Sequence, residues 1–234
     1  MIQHSEEVTK YVPGNRDLNR KKKWLILGLS LVIVAIPAAK LYSDRQFDTE
    51  VSLLAQTLEL KPGMTVGEIG AGKGEMTVAI AARVGPQGHV FATEIAPGLI
   101  NKIRQTALEA KLNNVTVVPA TVQDAGLPEG CCDVVFLRGV YHHLTQPKEI
   151  DNSLWKTLRP GGRLAVIDFP PNLLLWPWRP AGVPGNRGGH GIPKRIMIDE
   201  VTSEEFQVMR IIDPWPGGNY CVIFRKPTQI LETM

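Results

Sequence analysis

An excess of one charge is what this chain most lacks: 26 lysines and arginines against 23 aspartates and glutamates leave a formal +3 over 234 residues. So small a balance gives no electrostatic case for a nucleic-acid partner. Cysteine is scarce as well. Cys131, Cys132 and Cys221 contain no C-x-x-C pair, so they supply neither a disulfide framework nor a zinc cluster, and they read as small core residues near strand starts. No metal site is expected. Internal repeats and long low-complexity tracts are missing too. What remains is a chain long enough for one α/β domain of ordinary size plus an appendage.

Long apolar runs are confined to one place. At Trp24 the basic RDLNRKKK gives way to WLILGLSLVIVAIPAA, which carries no charge and ends at Ala39. At about 1.5 Å per residue the run falls slightly short of a hydrocarbon core of roughly 30 Å, and Lys23, Lys40 and Tyr42 can anchor its edges. It reads as a single membrane anchor over 24–42 behind a basic leader over 1–23, with the lipid bilayer as partner. A secretory signal is the alternative, since small residues (Ala35, Ala38, Ala39) follow the apolar stretch. The long charged leader and the lack of an A-x-A site favour the retained anchor.

Beyond the anchor, EVSLLAQTLELKPGMTV places Val51, Leu53, Leu54 and Leu58 on a helix that stops at Lys61-Pro62-Gly63. The spacing then predicts strand 64–69, helix 74–84, strand 89–95, helix 98–111, strands 115–120 and 133–138, helix 147–158 and strand 163–169. Such alternation indicates βαβ units and a parallel, doubly wound sheet, here a domain over 46–228. The tail differs. A helix near 195–207 leads to QVMRIID and, past a Pro-Trp-Pro-Gly-Gly turn, to NYCVIFRK, two strands too close in sequence to pair other than antiparallel.

The stretch VGEIGAGKGEMTVAIAARV joins a strand end to a helix through Gly70, Gly72 and Gly74. A dinucleotide fingerprint would need its third glycine at 75, where the chain has Glu75. The pattern G-x-G-x-G behind an acid, Glu68, resembles motif I of the class I S-adenosylmethionine-dependent methyltransferases. By itself such a turn is only a tight connection. The resemblance grows downstream. Glu94 ends the next strand, where a carboxylate can accept hydrogen bonds from both hydroxyls of a ribose. Asp124 is similar to the motif II residue that meets the adenine amino group, with Val122 as an apolar contact for the ring. CCDVVFLRGVYHHLTQPKEIDNSLWKTLRPGGRLAVIDF resembles the fourth strand, helix and fifth strand of the small-molecule methyltransferases that include quinone-biosynthesis enzymes.

The resemblance covers roughly residues 50–170 and implies a mostly parallel seven-stranded, Rossmann-like sheet ending in an antiparallel hairpin, with an apolar N-terminal helix added. It also implies S-adenosylmethionine as cofactor and a small, apolar acceptor as partner. Glu68 would meet the ligand ammonium or else cap the helix as an N-terminal acid. Methyl transfer is an in-line displacement that rests on positioning. An acceptor with a proton to lose also needs a base, and Tyr141, His142 and His143 are the candidates, with both histidines as structural residues the alternative. Arg138, grouped with the cofactor residues, is a strand-end cation that could bind an acidic substrate group or pair with Asp133 or Asp168. PPNLLLWPWRPAGVPGNRGGHGIPKR, over 170–195, reads as a lid-like insertion whose Trp176, Trp178, Arg179, Arg187 and His190 face an acceptor or lipid.

Two tensions remain at this level. Arg16, Arg20 and Lys21–Lys23 outnumber Lys40 and Arg45, so the positive-inside rule would export the domain away from a cytosolic cofactor unless the apolar run lies in one leaflet. A non-catalytic, adenosyl-binding subunit of a membrane complex is the competing function.

Overall fold

In the computed structural model, residues 40–171, 181–187 and 189–228 are described. The chain divides into two compact units, Met1–Asp48 and Thr49–Met234. The predicted anchor over 24–42 lies outside the described residues except for Lys40, Leu41 and Tyr42, which belong to a helix, α1, described over 40–57. Among the described residues no helix is long and apolar enough to cross a membrane.

The second unit is organised by a run of apolar strands. The sheet comprises β1 (Thr65–Ile69), β2 (His89–Glu94), β3 (Val115–Pro119), β4 (Cys132–Arg138), β5 (Leu158–Asp168), β6 (Gln207–Trp215) and β7 (Asn219–Arg225). Their order is β3-β2-β1-β4-β5-β7-β6. Strands covered on both faces read as continuous apolar runs, which is why Val134, Val135, Phe136 and Leu137 of β4 are all buried. β1 to β5 pair in parallel, whereas β7 runs antiparallel to both β5 and β6. The tail is thus the antiparallel hairpin expected from its short turn.

Four further helices cover the sheet: α2 (Glu75–Val84), α3 (Pro97–Glu109), α4 (Pro147–Thr157) and α5 (Lys194–Thr202). Each buries a stripe at helical spacing, as with Met76, Ile80 and Val84 in α2. Proline opens α3 and α4, where its missing N–H has no helical partner to lose.

Two boundaries differ from the sequence reading. β5 starts at Leu158 rather than 163, because Leu158 already pairs with Cys132 and the register then shifts past Arg159-Pro160-Gly161-Gly162. The Gly161 N–H donates to the Lys226 carbonyl at 2.8 Å and the Lys226 N–H to that of Gly162 at 2.9 Å, so the glycines are tied into extended structure. α5 ends at Thr202, and Phe206 beyond its terminal turn is buried in the core instead of continuing the helix.

The parallel strands end along one edge, at Ile69, Glu94, Pro119, Arg138 and Asp168. In an open α/β sheet that carboxyl edge is where ligands bind.

Candidate functional site

The glycine turn between β1 and α2 meets three separate demands. Gly70, Gly72 and Gly74 all have positive φ, at 69°, 57° and 82°. A Cβ on Gly70 would come within 2.6 Å of Val140 Cγ2, and one on Gly74 within 3.1 Å of Ile103 Cγ2. Nothing lies within 4 Å of the same point on Gly72, so its backbone faces open space.

Gly72 is tied to the end of β2. Its N–H donates to Glu94 Oε2 at 3.1 Å, while the Ile95 and Ala96 N–H groups donate to Oε1 at 2.8 and 3.3 Å. Three backbone donors hold the carboxylate still and leave acceptor capacity on Oε2 for a ligand. Glu94 borders a cavity of about 340 Å³ that Gly70, Ile95, Val122, Leu144 and His143 also line. Thr93 contributes a buried Oγ1 with no hydrogen-bond partner among the described residues. A cleft with apolar walls and a few fixed polar groups has the makeup of a small-molecule site.

Histidines gather beyond β4. Asp168, wholly buried at the end of β5, accepts the His142 backbone N–H at 3.0 Å and pairs with His142 Nδ1 at 2.8 Å. With Nδ1 engaged by the carboxylate, Nε2 is the ring nitrogen left over. That nitrogen is buried and finds no partner among the described residues. The His143 and His190 ring centroids lie 3.9 and 4.9 Å from that of His142. Desolvation, followed by the neighbouring His142 and His190 rings, lowers the His143 pKa, which favours an uncharged ring.

The chain matches a family model described as a methyltransferase domain over residues 60–178, half of its length. It belongs to that family. The ubiquinone/menaquinone biosynthesis C-methyltransferase UbiE of Vibrio campbellii is 30% identical over 113 residues, 47% of this chain and 42% of that protein. The chain therefore spans less than half the length of that relative. Among solved structures, a SAM-dependent methyltransferase from Aquifex aeolicus superposes with a TM-score of 0.64 at 20% identity, covering 76% of this chain and 89% of that one. The [4+2]-cyclase SpnF superposes with a TM-score of 0.63 at 13% identity over 77% and 82% of the two chains. Likenesses at such identities concern the fold alone.

The methyltransferase domain takes S-adenosylmethionine as its cofactor. The residues present fit an adenosyl group: a fixed carboxylate acceptor, an orphaned threonine hydroxyl, apolar walls and a glycine backbone open to close approach.

Other candidates from the sequence stand elsewhere. Glu68 is buried and does not line the cleft; its carboxylate accepts from the Thr77 hydroxyl in the first turn of α2. Burial pushes its pKa up to about 7 against the pull of Thr77 and Arg138. Arg138 pairs with neither Asp133 nor Asp168: Glu50 holds its Nε and Nη2 at 2.8 and 2.7 Å, and Trp215 Nε1 donates to the same carboxylate at 3.0 Å. The expected pairing with Asp133 or Asp168 is corrected accordingly, since Glu50 takes two of the three guanidinium nitrogens. Asp124 Oδ1 accepts from Gly126 N–H at 2.8 Å and Ser153 Oγ at 2.7 Å, and these bonds, in that order, lower its pKa. Val122, in contrast, is exposed and lines the cleft.

Tyr141 is fully buried, its hydroxyl donating to Asp151 Oδ2 at 2.6 Å. Burial and the Asp151 charge raise its pKa well above the usual value, and it does not line the cleft. Arg187 is buried as well and does not line the cleft. Its Nη1 donates to the Tyr141 carbonyl at 2.8 Å, Nη2 pairs with Glu200, and the guanidinium lies 5.3 Å from the Tyr141 ring centroid. It pins the segment that carries His190 onto the domain. Trp176, Trp178 and Arg179 lie outside the described residues. Thr93 and Glu50 escaped the sequence reading, since a threonine inside a strand and an acid on a helix carry no local mark of their partners.

Proposed function

We propose that the protein transfers the methyl group of S-adenosylmethionine to a small, apolar, quinol-like acceptor, tethered to membrane through residues 24–42. The observation that carries the reading is the Glu94 carboxylate, fixed by three backbone donors at the wall of an otherwise apolar cleft. The cofactor supplies an electrophilic methyl group on a sulfonium. Glu94 accepts the ribose hydroxyls, and Gly72 lets the ligand lie against bare backbone. Ile95 and Val122 give the adenine ring apolar contact.

His143 is the histidine that lines the cleft, and it is the group that takes a proton from an acceptor that has one to lose. Positioning of the two reactants supplies the rest of the rate. The acceptor class follows from the name of the Vibrio relative and the apolar lining. The anchor follows from the uncharged run that ends at Ala39, which would keep the domain near lipid-soluble acceptors.

Calorimetry with S-adenosylmethionine and its demethylated product tests the site. Glu94→Ala should weaken both by about 10- to 100-fold, as expected for loss of hydrogen bonds to a charged acceptor. Equal affinities would remove the ribose assignment. Tight cofactor binding without turnover on quinols, phenols, thiols and lipids would favour the competing reading, an adenosyl-binding subunit; the [4+2]-cyclase on the same fold illustrates that fold alone does not fix reaction.

A further inference from the structure

His142, His143 and His190 each offer a ring nitrogen, and the three nitrogens lie within 4.8 Å of one another. From this arrangement we propose that the three side chains form a binding site for a divalent transition metal, zinc foremost. Two of the rings also carry a buried nitrogen without a hydrogen-bond partner among the described residues, which a bare aromatic cluster does not explain. His142 Nε2 and His190 Nδ1 are both buried with no hydrogen-bond partner among the described residues, and His142 as a whole is 2% exposed. A buried lone pair without a donor costs about 1–3 kcal/mol, and a cation held between several of them removes that cost.

The surroundings are those of a ligand set. Asp168 accepts from His142 Nδ1 at 2.8 Å, and a carboxylate behind a histidine is the usual means of fixing the tautomer that presents the other nitrogen to a metal. Asp168 is itself held in place, accepting the His142 and Phe169 backbone N–H groups at 3.0 and 2.9 Å. Phe169 closes one side, its ring 4.6 Å from that of His142 and 5.1 Å from that of His190. Three imidazoles, joined by neither thiolate nor carboxylate among the described residues, suit zinc, cobalt, nickel or copper rather than calcium and magnesium, which require oxygen ligands.

The span needs only a small contraction. The centre of a triangle with 4.8 Å edges is about 2.8 Å from each corner, so each nitrogen moves inward by about 0.7 Å at most to reach a zinc–nitrogen distance of ~2.0–2.1 Å. With the ion bound, His143 is a ligand and is not free to take the acceptor's proton, so its two roles belong to different states of the site; three ligands leave at least one position for an oxygen, on the side where exposed His143 lines the cleft. The ion would further join the strand end of β5 to the segment that Arg187 pins through Tyr141.

Metal binding is read without turnover, so its failure is separable from that of the methyl-transfer reading. The full-length protein, freed of metal by chelation, is titrated with Zn²⁺ alone and with Co²⁺ alone, the latter followed by its visible d–d absorption. One equivalent of Co²⁺ should give an intense band typical of four or five ligands, and Zn²⁺ should displace it. His143→Ala and His190→Ala, at exposed and half-buried positions, should fold normally by circular dichroism and bind Zn²⁺ at least about 100-fold more weakly. Asp168→Asn should cost ~10–100-fold through the fixing of His142. Absence of binding by folded wild type at ~100 μM metal, or binding that survives in both histidine variants, overturns the site.

Discussion

Glu68 is an acid in an expensive place, buried beneath α2 with the Thr77 hydroxyl as its hydrogen-bond partner. Burial lifts its pKa from an ordinary 4.5 to about 7, so between those values the folded state keeps a proton that the unfolded state has lost. Stability from this group is therefore complete below about pH 4.5 and is lost as pH rises through about 7. Asp151, also raised to about 7, adds a slope of the same sign, which the difference between two proteins cancels. Glu68→Gln should match wild type in chemical denaturation near pH 4.5 and be more stable at pH 8, by at most about 3 kcal/mol. A pH-independent difference would contradict the burial account. His143 poses the complementary question. If it takes the acceptor proton, His143→Ala should lower turnover ~10²–10⁴-fold on an identified acceptor while cofactor affinity stays within about twofold. Unchanged turnover would leave positioning alone to carry the reaction.

At the scale of elements, the β1–α2 turn separates two kinds of glycine requirement. Alanine at either Gly70 or Gly72 must adopt positive φ, which costs about 1–2 kcal/mol. At Gly70 the new Cβ also meets Val140 at 2.6 Å, adding overpacking of about 1–3 kcal/mol. Gly70→Ala should thus be the less stable variant in thermal or chemical unfolding. Gly72→Ala faces no such contact, yet it places a methyl where the cofactor approaches, so its larger loss should appear in calorimetric affinity. The reverse ranking would show that the open face of Gly72 is not the ligand's side. The segment leading into α5 illustrates a different element-scale constraint. It looks like a loop rich in proline and glycine, but Arg187 anchors it to Tyr141 and Glu200, so part of the predicted lid is fixed structure.

For the whole molecule, the question is what the first 45 residues contribute. Glu50, which holds Arg138 and Trp215, and the buried Val51, Leu54 and Leu58 all follow that point. A protein lacking residues 1–45 should keep cofactor affinity and a cooperative unfolding transition, but no longer sediment with membranes. Full partition to membrane after truncation would place a second lipid contact in the domain, with the tryptophan-bearing stretch over 172–180 as the first segment to vary. Aggregation with loss of cooperative unfolding would mean that the N-terminal residues are needed for folding.

What the sequence determined by itself was local or periodic. Alternating apolar runs specify the strands and helices, because burial on both faces or on one stripe is written into consecutive residues. The glycine turn and Glu94 were legible for the same reason: each marks a strand end, and strand ends in a parallel sheet share one edge. Partner choice was decided only by tertiary structure. Arg138 bonds Glu50 across 88 positions of chain, in preference to the acids on neighbouring strands. Tyr141 adjoins two histidines in sequence, yet the turn at Tyr141–His143 buries its ring while leaving His143 exposed. His190 meets His142 and His143 across nearly fifty residues only because Arg187 and the end of β5 bring the segment back over the sheet edge. A side chain's burial and its choice among equivalent charges are set by packing of elements distant in sequence, and no single stretch of sequence contains that information.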